Sequence, residues 1–359
     1  MVIALFVAAG LVLGDGGLGV IGLDPQSNFV AIVAVIALVV ILLRDGLEVE
    51  AEMLQKAWRP PLRKLVLAMP ITCALVACVA KALTDLDWTQ AFLLGALLSP
   101  TDPVLSNSVV TNPRVPRIVR HSLNLESGLN DGLALPAVLA FAYSLDPSKS
   151  HFVWWHFVLR DVTLGFAVGI AAGYLAARFV PRWEMLYGLV VAFATYGLAD
   201  LVLGNGLIAV FVCAITLGIL RPEIVSAFER EAEKLVAVVK FGVFFVFGLV
   251  LTLHGLFGDG AAAVGVVAFT LLVARPVAVM LALIGTRTDL VTRAFMGWFG
   301  PKGVATMTFS LLVLGERIAD GERIFNIAAL AVLVSILAHG LTDVPGSNAI
   351  ARHAERAAA

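Results

Sequence analysis

Ser99-Pro100-Thr101-Asp102-Pro103 and, further along, Glu126-Ser127-Gly128-Leu129-Asn130-Asp131-Gly132 place three carboxylates in stretches that are otherwise apolar enough to lie in a lipid bilayer. A carboxylate at membrane depth costs about 2.5–3.5 kcal/mol even on insertion scales, so each one needs a partner or a function. Movement of protons or cations is the first reason to consider.

The rest of the chain supports a membrane setting. It has 359 residues, 60% of them hydrophobic and only 14% charged, with a mean hydropathy of +0.95. Such values exclude an ordinary soluble domain and indicate an all-α polytopic membrane protein. A span needs about 20 apolar residues, and twelve segments come close: 1–20, 28–44, 62–83, 88–111, 121–143, 153–179, 184–203, 205–220, 235–256, 260–285, 292–315 and 324–343. The tail beyond Leu341 is short and Ala-rich and reads as a frayed end. Eighteen Lys and Arg residues, Arg44, Arg63 and Lys64 among them, fall in one set of alternate loops and the tail, and five in the other set. That asymmetry predicts twelve spans with both termini cytoplasmic, and a prokaryotic cell membrane is the expected location of such a multi-pass protein. The two basic residues left over, Arg275 and Lys302, fall inside spans 10 and 11. Cys73, Cys78 and Cys213 lie in apolar runs without metal-ligand spacing and read as packing residues.

Two spans are broken. Pro100 and Pro103 flank Asp102 and remove two backbone donors, so the helix must stop there. Gly297-Trp298-Phe299-Gly300-Pro301-Lys302-Gly303 interrupts span 11 in the same way. Paired interrupted spans in the two halves of a chain point to a transporter's midplane site. Spans 1–5 and 8–12 would form an odd-length inverted repeat linked by spans 6 and 7. Where two broken helices cross, like ends face each other and need compensating charge. Asp102 can neutralise the N-terminal ends and Lys302 the carbonyl ends.

Glu126 and Asp131 lie five residues apart, roughly 140° around a helix, so they face different partners. One accessible carboxylate that holds either a cation or a proton is a minimal exchanger, because competition for the site couples the two fluxes. Hard monovalent cations want oxygen ligands, and Asp131, Ser127, Thr101 and unwound carbonyls near Asp102 would supply them. Arg275, permanently charged in span 10, needs a buried carboxylate, and Glu126 is the unassigned one. Their pairing would leave Asp131 as the titrating group.

These motifs resemble the cation/proton antiporter superfamily, in its NhaP-like sodium/proton exchanger branch, along nearly the whole chain. Asn130-Asp131 resembles the electroneutral members, Leu43-Arg44-Asp45-Gly46-Leu47-Glu48 the second core segment, and Gly300-Pro301-Lys302-Gly303 the second broken helix. The resemblance implies an NhaA/NhaP-like fold with two crossed discontinuous helices, homodimers and elevator-type alternating access. It implies core helices at about 62–143 and 235–315, dimerisation or scaffold helices at about 1–44, 184–220 and 324–343, and a linker at about 153–179. Asp131 would be the exchange carboxylate, with Asp102, Thr101, Ser127, Asn130 and Glu126 around it, Asn130 supporting by hydrogen bonding. Arg275 and Lys302 would be structural charge partners, Lys302 standing where an arginine is usual, and Asp45 would lie near the cytoplasmic funnel. Most members have thirteen spans, and this chain reads as beginning at their second.

Function on this reading is exchange of H⁺ for Na⁺, with Li⁺ or K⁺ as alternatives, without a cofactor, a nucleic-acid partner or enzyme chemistry. A K⁺/H⁺ antiporter of the same fold, a cation channel and an intramembrane aspartyl protease are the competing readings. The protease needs its second aspartate in a Gly-x-Gly-Asp setting, which Asn130-Asp131-Gly132 does not provide. His121, His254 and His339 read as loop or interfacial residues, and Trp88, Trp154 and Trp155 as an interface belt. Arg160-Asp161 and Asp200 read as local or external-face residues.

Overall fold

The repeated apolar runs form helices because a bilayer leaves no other partner for backbone N–H and C=O groups than the segment itself. A computed structural model describes residues 2–49, 59–102, 107–149, 151–179, 184–286, 288–316 and 318–358. All its long elements are helices: α1 (Val2–Leu13), α2 (Asn28–Leu47), α3 (59–83), α4 (Trp88–Leu97), α5 (Asn107–Thr111), α6 (Arg117–Leu145), α7 (Trp154–Arg178), α8 (Glu184–Leu201), α9 (Gly206–Leu220), α10 (Pro222–Val250), α11 (Gly260–Ala282), α12 (Leu290–Trp298), α13 (Val304–Gly315) and α14 (Gly321–Ala358). Among the described residues, α2, α6, α7, α11 and most of α3 and α14 are long and apolar enough to cross a membrane outright, and shorter apolar helices accompany them. Pairing α4 with α5 and α12 with α13 as the halves of broken rods gives twelve crossings.

Packing divides these rods. α1 lies along α10, which in turn contacts α2. α7 lies along α9, where Gly165, Gly169 and Gly173 let the backbones close to contact, a Cβ at each meeting Ile208, Val212 or Thr216. α3 packs against α4 and α11, and α14 against α13, α11 and α12.

Three expectations change. The tail is not frayed: α14 runs to Ala358, with Ala351 buried and Ile350 packed in the cluster around Phe299 and Met296. Its apolar face has a partner, and that partner keeps it helical. Lys64 is not a loop residue but is 1% exposed inside α3. His339 is also buried, with its ring nitrogens at 2.9 Å from the Trp298 and Ser335 carbonyl oxygens, and its ring stacks on Trp298.

Lys64 turns inward through a local irregularity. Lys64–Ala68 is a π turn, in which the Met69 N–H reaches back five residues to the Lys64 carbonyl. A second π turn, Thr270–Ala274, immediately precedes Arg275 in α11. One extra residue per turn rotates the remainder of the helix by about 100°, and such turns concentrate at functional sites.

Candidate functional site at the helix crossing

The two broken rods meet between residues 99–102 and 299–304. The Asp102 N–H donates to the Pro301 carbonyl at 2.9 Å, joining the two unwound strands. Asp102 Oδ2 accepts from the Val304 N–H at 3.0 Å, so the carboxylate sits on the N-terminal end of α13. Lys302, fully buried, donates through Nζ to the Pro100 carbonyl at 3.1 Å and the Ser99 carbonyl at 3.4 Å. Each charge therefore meets the helix ends of opposite polarity. Ser335 fixes the Lys302 backbone by accepting its N–H at 2.8 Å. Gly303 has to be small: a Cβ there would come within 2.6 Å of the Asp102 side chain. Pro103 lies outside the described residues.

α6 carries the other carboxylates past this crossing. Asn130 Nδ2 donates to the Thr101 carbonyl at 2.8 Å and to Thr101 Oγ1 at 2.9 Å, tying α6 to the first break. Its Oδ1 and Asp131 Oδ1 are both buried, and neither has a hydrogen-bond partner among the described residues. Buried oxygens without donors, here on successive residues of α6, are groups that a cation satisfies and an apolar core does not. The side chain of Ser127 lies outside the described residues.

Asp131 does not stand alone. The Asp45 carboxyl, from α2, faces it within hydrogen-bonding reach. Shape brings them together across the fold: Gly132 packs against the Phe211 ring of α9, and Gly46 packs against Phe211's carbonyl and Ala214. The aspartate before each glycine is thereby carried to a common point. Beyond Asp45, Arg44 pairs with Glu48 at 2.7 Å and lies 3.7 Å from Asp45. Arg44, Glu48 and Lys240 line a cavity of about 440 Å³ with Phe228, Phe241 and Phe244.

Glu126, on the other side of α6, is surrounded by cations. Arg275 Nη1 is 3.0 Å from Oε1, and Lys64 Nζ is 2.6 Å from Oε2 and 3.2 Å from the Ser122 carbonyl. Arg275 lies over Gly300, where no Cβ could fit, so the triad also touches the second break. Sequence reasoning placed Arg275 beside Glu126 but missed Lys64 and gave Asp45 no contact with Asp131. The available signals were Lys64 directly preceding the apolar run Leu65–Ala68 and the shared Asp-Gly pairs at 45–46 and 131–132.

The profile described as "Sodium/hydrogen exchanger, transmembrane" matches residues 1–345. The chain belongs to the sodium/hydrogen exchanger family. It is 27% identical to a protein named K(+)/H(+) antiporter NhaP from Alkalimonas amylolytica, over 96% of this chain and 61% of that protein. It is 26% identical to K(+)/H(+) antiporter NhaP2 of Shewanella baltica, over 94% of this chain and 60% of that one. A Na(+)/H(+) antiporter, NhaG of Bacillus atrophaeus, is 27% identical over 71% of the chain and 52% of its own length. The chain thus spans about three fifths of the length of the first two of these relatives. The sodium proton antiporter MjNhaP1 from Methanocaldococcus jannaschii superposes with a TM-score of 0.86 at 18% identity, covering 97% of this chain and 92% of that one. The crossed discontinuous helices are therefore the fold of a family member, and the chain is a multi-pass membrane protein.

Proposed function

We propose that this chain is a secondary antiporter that exchanges protons for a monovalent cation by alternating access, with Asp131 as the shared carboxylate. The observation that carries the reading is the pair of buried, unpartnered oxygens of Asn130 and Asp131 beside Thr101 and the Asp45 carboxyl. A proton held between Asp45 and Asp131 leaves when a cation takes its place among these oxygens, and returns when the cation departs. Asp102 and Lys302 hold the unwound strands around the site, and Glu126, saturated by two cations, takes no part in exchange.

Na⁺ is the cation on our main reading, as the family's description supports. K⁺ is the second reading, favoured by the names of the first two relatives. The helices that move would be α3–α6 and α11–α14, with α1, α2 and α8–α10 as a dimerising scaffold and α7 as the linker. This division departs from the one expected from sequence, because Pro222–Val250 packs along α1 while Gly321–Ala358 packs along α13 and α11. A homodimer in the cell membrane with cytoplasmic termini completes the proposal.

The test is cation-driven proton flux in proteoliposomes, with Na⁺, Li⁺ and K⁺ in turn and the membrane potential clamped or free. Flux driven by one of these cations and indifferent to the clamp is the expected result for an electroneutral exchanger. Flux that grows under the clamp would refute electroneutrality, and cation flux without proton movement would make the protein a channel.

A further inference from the structure

Lys64 is the feature that the exchange reading leaves without a purpose. A Glu126–Arg275 pair would already be neutral, yet a second, fully buried cation closes on the other carboxylate oxygen at 2.6 Å. A buried ammonium costs several kcal/mol unless it is compensated, so a surplus one needs a reason.

The placement is built rather than incidental. Both cations reach Glu126 from π turns, Lys64 as the first residue of one and Arg275 directly after the other. The two turns lie in α3 and α11, which pack side by side and hold equivalent places in the two halves of the chain, spans 3 and 10. The Ser122 carbonyl, one turn before Glu126 on α6, takes a further bond from Lys64.

A wider count of charge suggests the purpose. Among the described residues around the crossing, Lys64, Arg275 and Lys302 are buried cations, and Glu126, Asp102 and Asp131 are buried carboxylates. Arg44 and Lys240 balance Asp45 and Glu48 beside them. The six charges cancel when Asp131 is ionised and empty. Loading Asp131 with either ion leaves one positive charge uncompensated in a region of low dielectric constant. Without Lys64 the balance would move to the loaded state.

We propose that Lys64 is a positioning residue that sets the exchange site's affinity: its ammonium on Glu126 adds one buried positive charge that weakens Asp131's hold on a cation and so speeds release. The inference rests on the exchange reading above.

The experiment measures the half-saturating cation concentration of proton flux in proteoliposomes, at a pH alkaline enough that raising it further no longer changes that concentration and protons do not compete for Asp131, using whichever of Na⁺ or K⁺ drives the wild type. Lys64→Met should lower it about five- to ten-fold, the Coulomb effect of one charge removed at roughly 12 Å with an effective dielectric constant of about 20–30. Lys64→Arg, which keeps the charge, should hold it within about twofold. A merely structural role predicts slower flux without tighter saturation, so the direction of the change separates the two. Should Lys64→Met fail to fold, Ser122→Asp places a cancelling charge next to Lys64 and should lower the concentration likewise. A monodisperse Lys64→Met protein, or Ser122→Asp in its place, with unchanged or raised half-saturation overturns the inference. A wild type that exchanges no cation overturns the exchange reading instead.

Discussion

Glu126 and Asp131 sit on the same helix, less than two turns apart, and the structure treats them in opposite ways. Both Glu126 oxygens are taken by permanent or strongly held cations, Arg275 at 3.0 Å and Lys64 at 2.6 Å. Asp131 instead has one oxygen without a partner and faces a second carboxyl, Asp45. Helix position gave each its depth, but the neighbouring helices decided its chemistry. A carboxylate saturated by cations is a structural joint, and one that meets another carboxyl has room for an exchangeable ion.

The largest expected effect breaks the exchanging side of this contrast. Asp131→Asn should reduce cation-driven proton flux by at least about a hundredfold, since the amide can neither ionise nor share a proton, while the protein remains monodisperse on size exclusion. Retained flux would sink the assignment of Asp131.

Glu126→Gln tests the structural side. It orphans two buried cations, and removing one partner from a buried ion pair typically costs about 3–5 kcal/mol. A thermal melt should show a large loss of stability, whereas an unchanged melting temperature would mean that Glu126 is not a joint. Gly132→Ala probes how the exchange site is assembled. Its new methyl would strike the Phe211 ring, and overpacking of this kind costs about 1–3 kcal/mol. Because the clash would push α6 from α9, flux should fall more than stability does. Equal losses would detach the Asp45–Asp131 approach from function.

The smallest effect is a control far from both carboxylates. Arg114 and Glu355 pair at 3.0 Å with both side chains more than half exposed. Glu355→Gln should change stability by less than about 1 kcal/mol, the usual range for surface pairs. A larger loss would show that the end of α14 is anchored by charge rather than by Ile350 and Ala351.

Much of this contrast was legible in the residues. Two prolines around Asp102 and the Gly-Pro-Lys-Gly run at 300–303 announce the breaks, because proline chemistry is local. The Glu126–Arg275 pair followed from charge balance, since an arginine in an apolar span must find an acid. Lys64 escaped because a lysine at the edge of an apolar run ordinarily belongs to a loop, and nothing in Arg63-Lys64-Leu65 announces a π turn. His339 escaped for a related reason, its partner Trp298 being set by how α12 meets α14.

Residue order alone was enough to establish that the chain crosses a membrane, where two of its helices break, and which charges neutralise the broken ends. These depend on hydropathy, proline and helix dipoles, all properties of neighbours along the chain. Only the packed fold brings Asp45 to Asp131 and Lys64 into the Glu126 triad. Those contacts join residues more than sixty positions apart, through glycine faces packed around Phe211 and through paired π turns. Such distances close only when whole helices have found their neighbours.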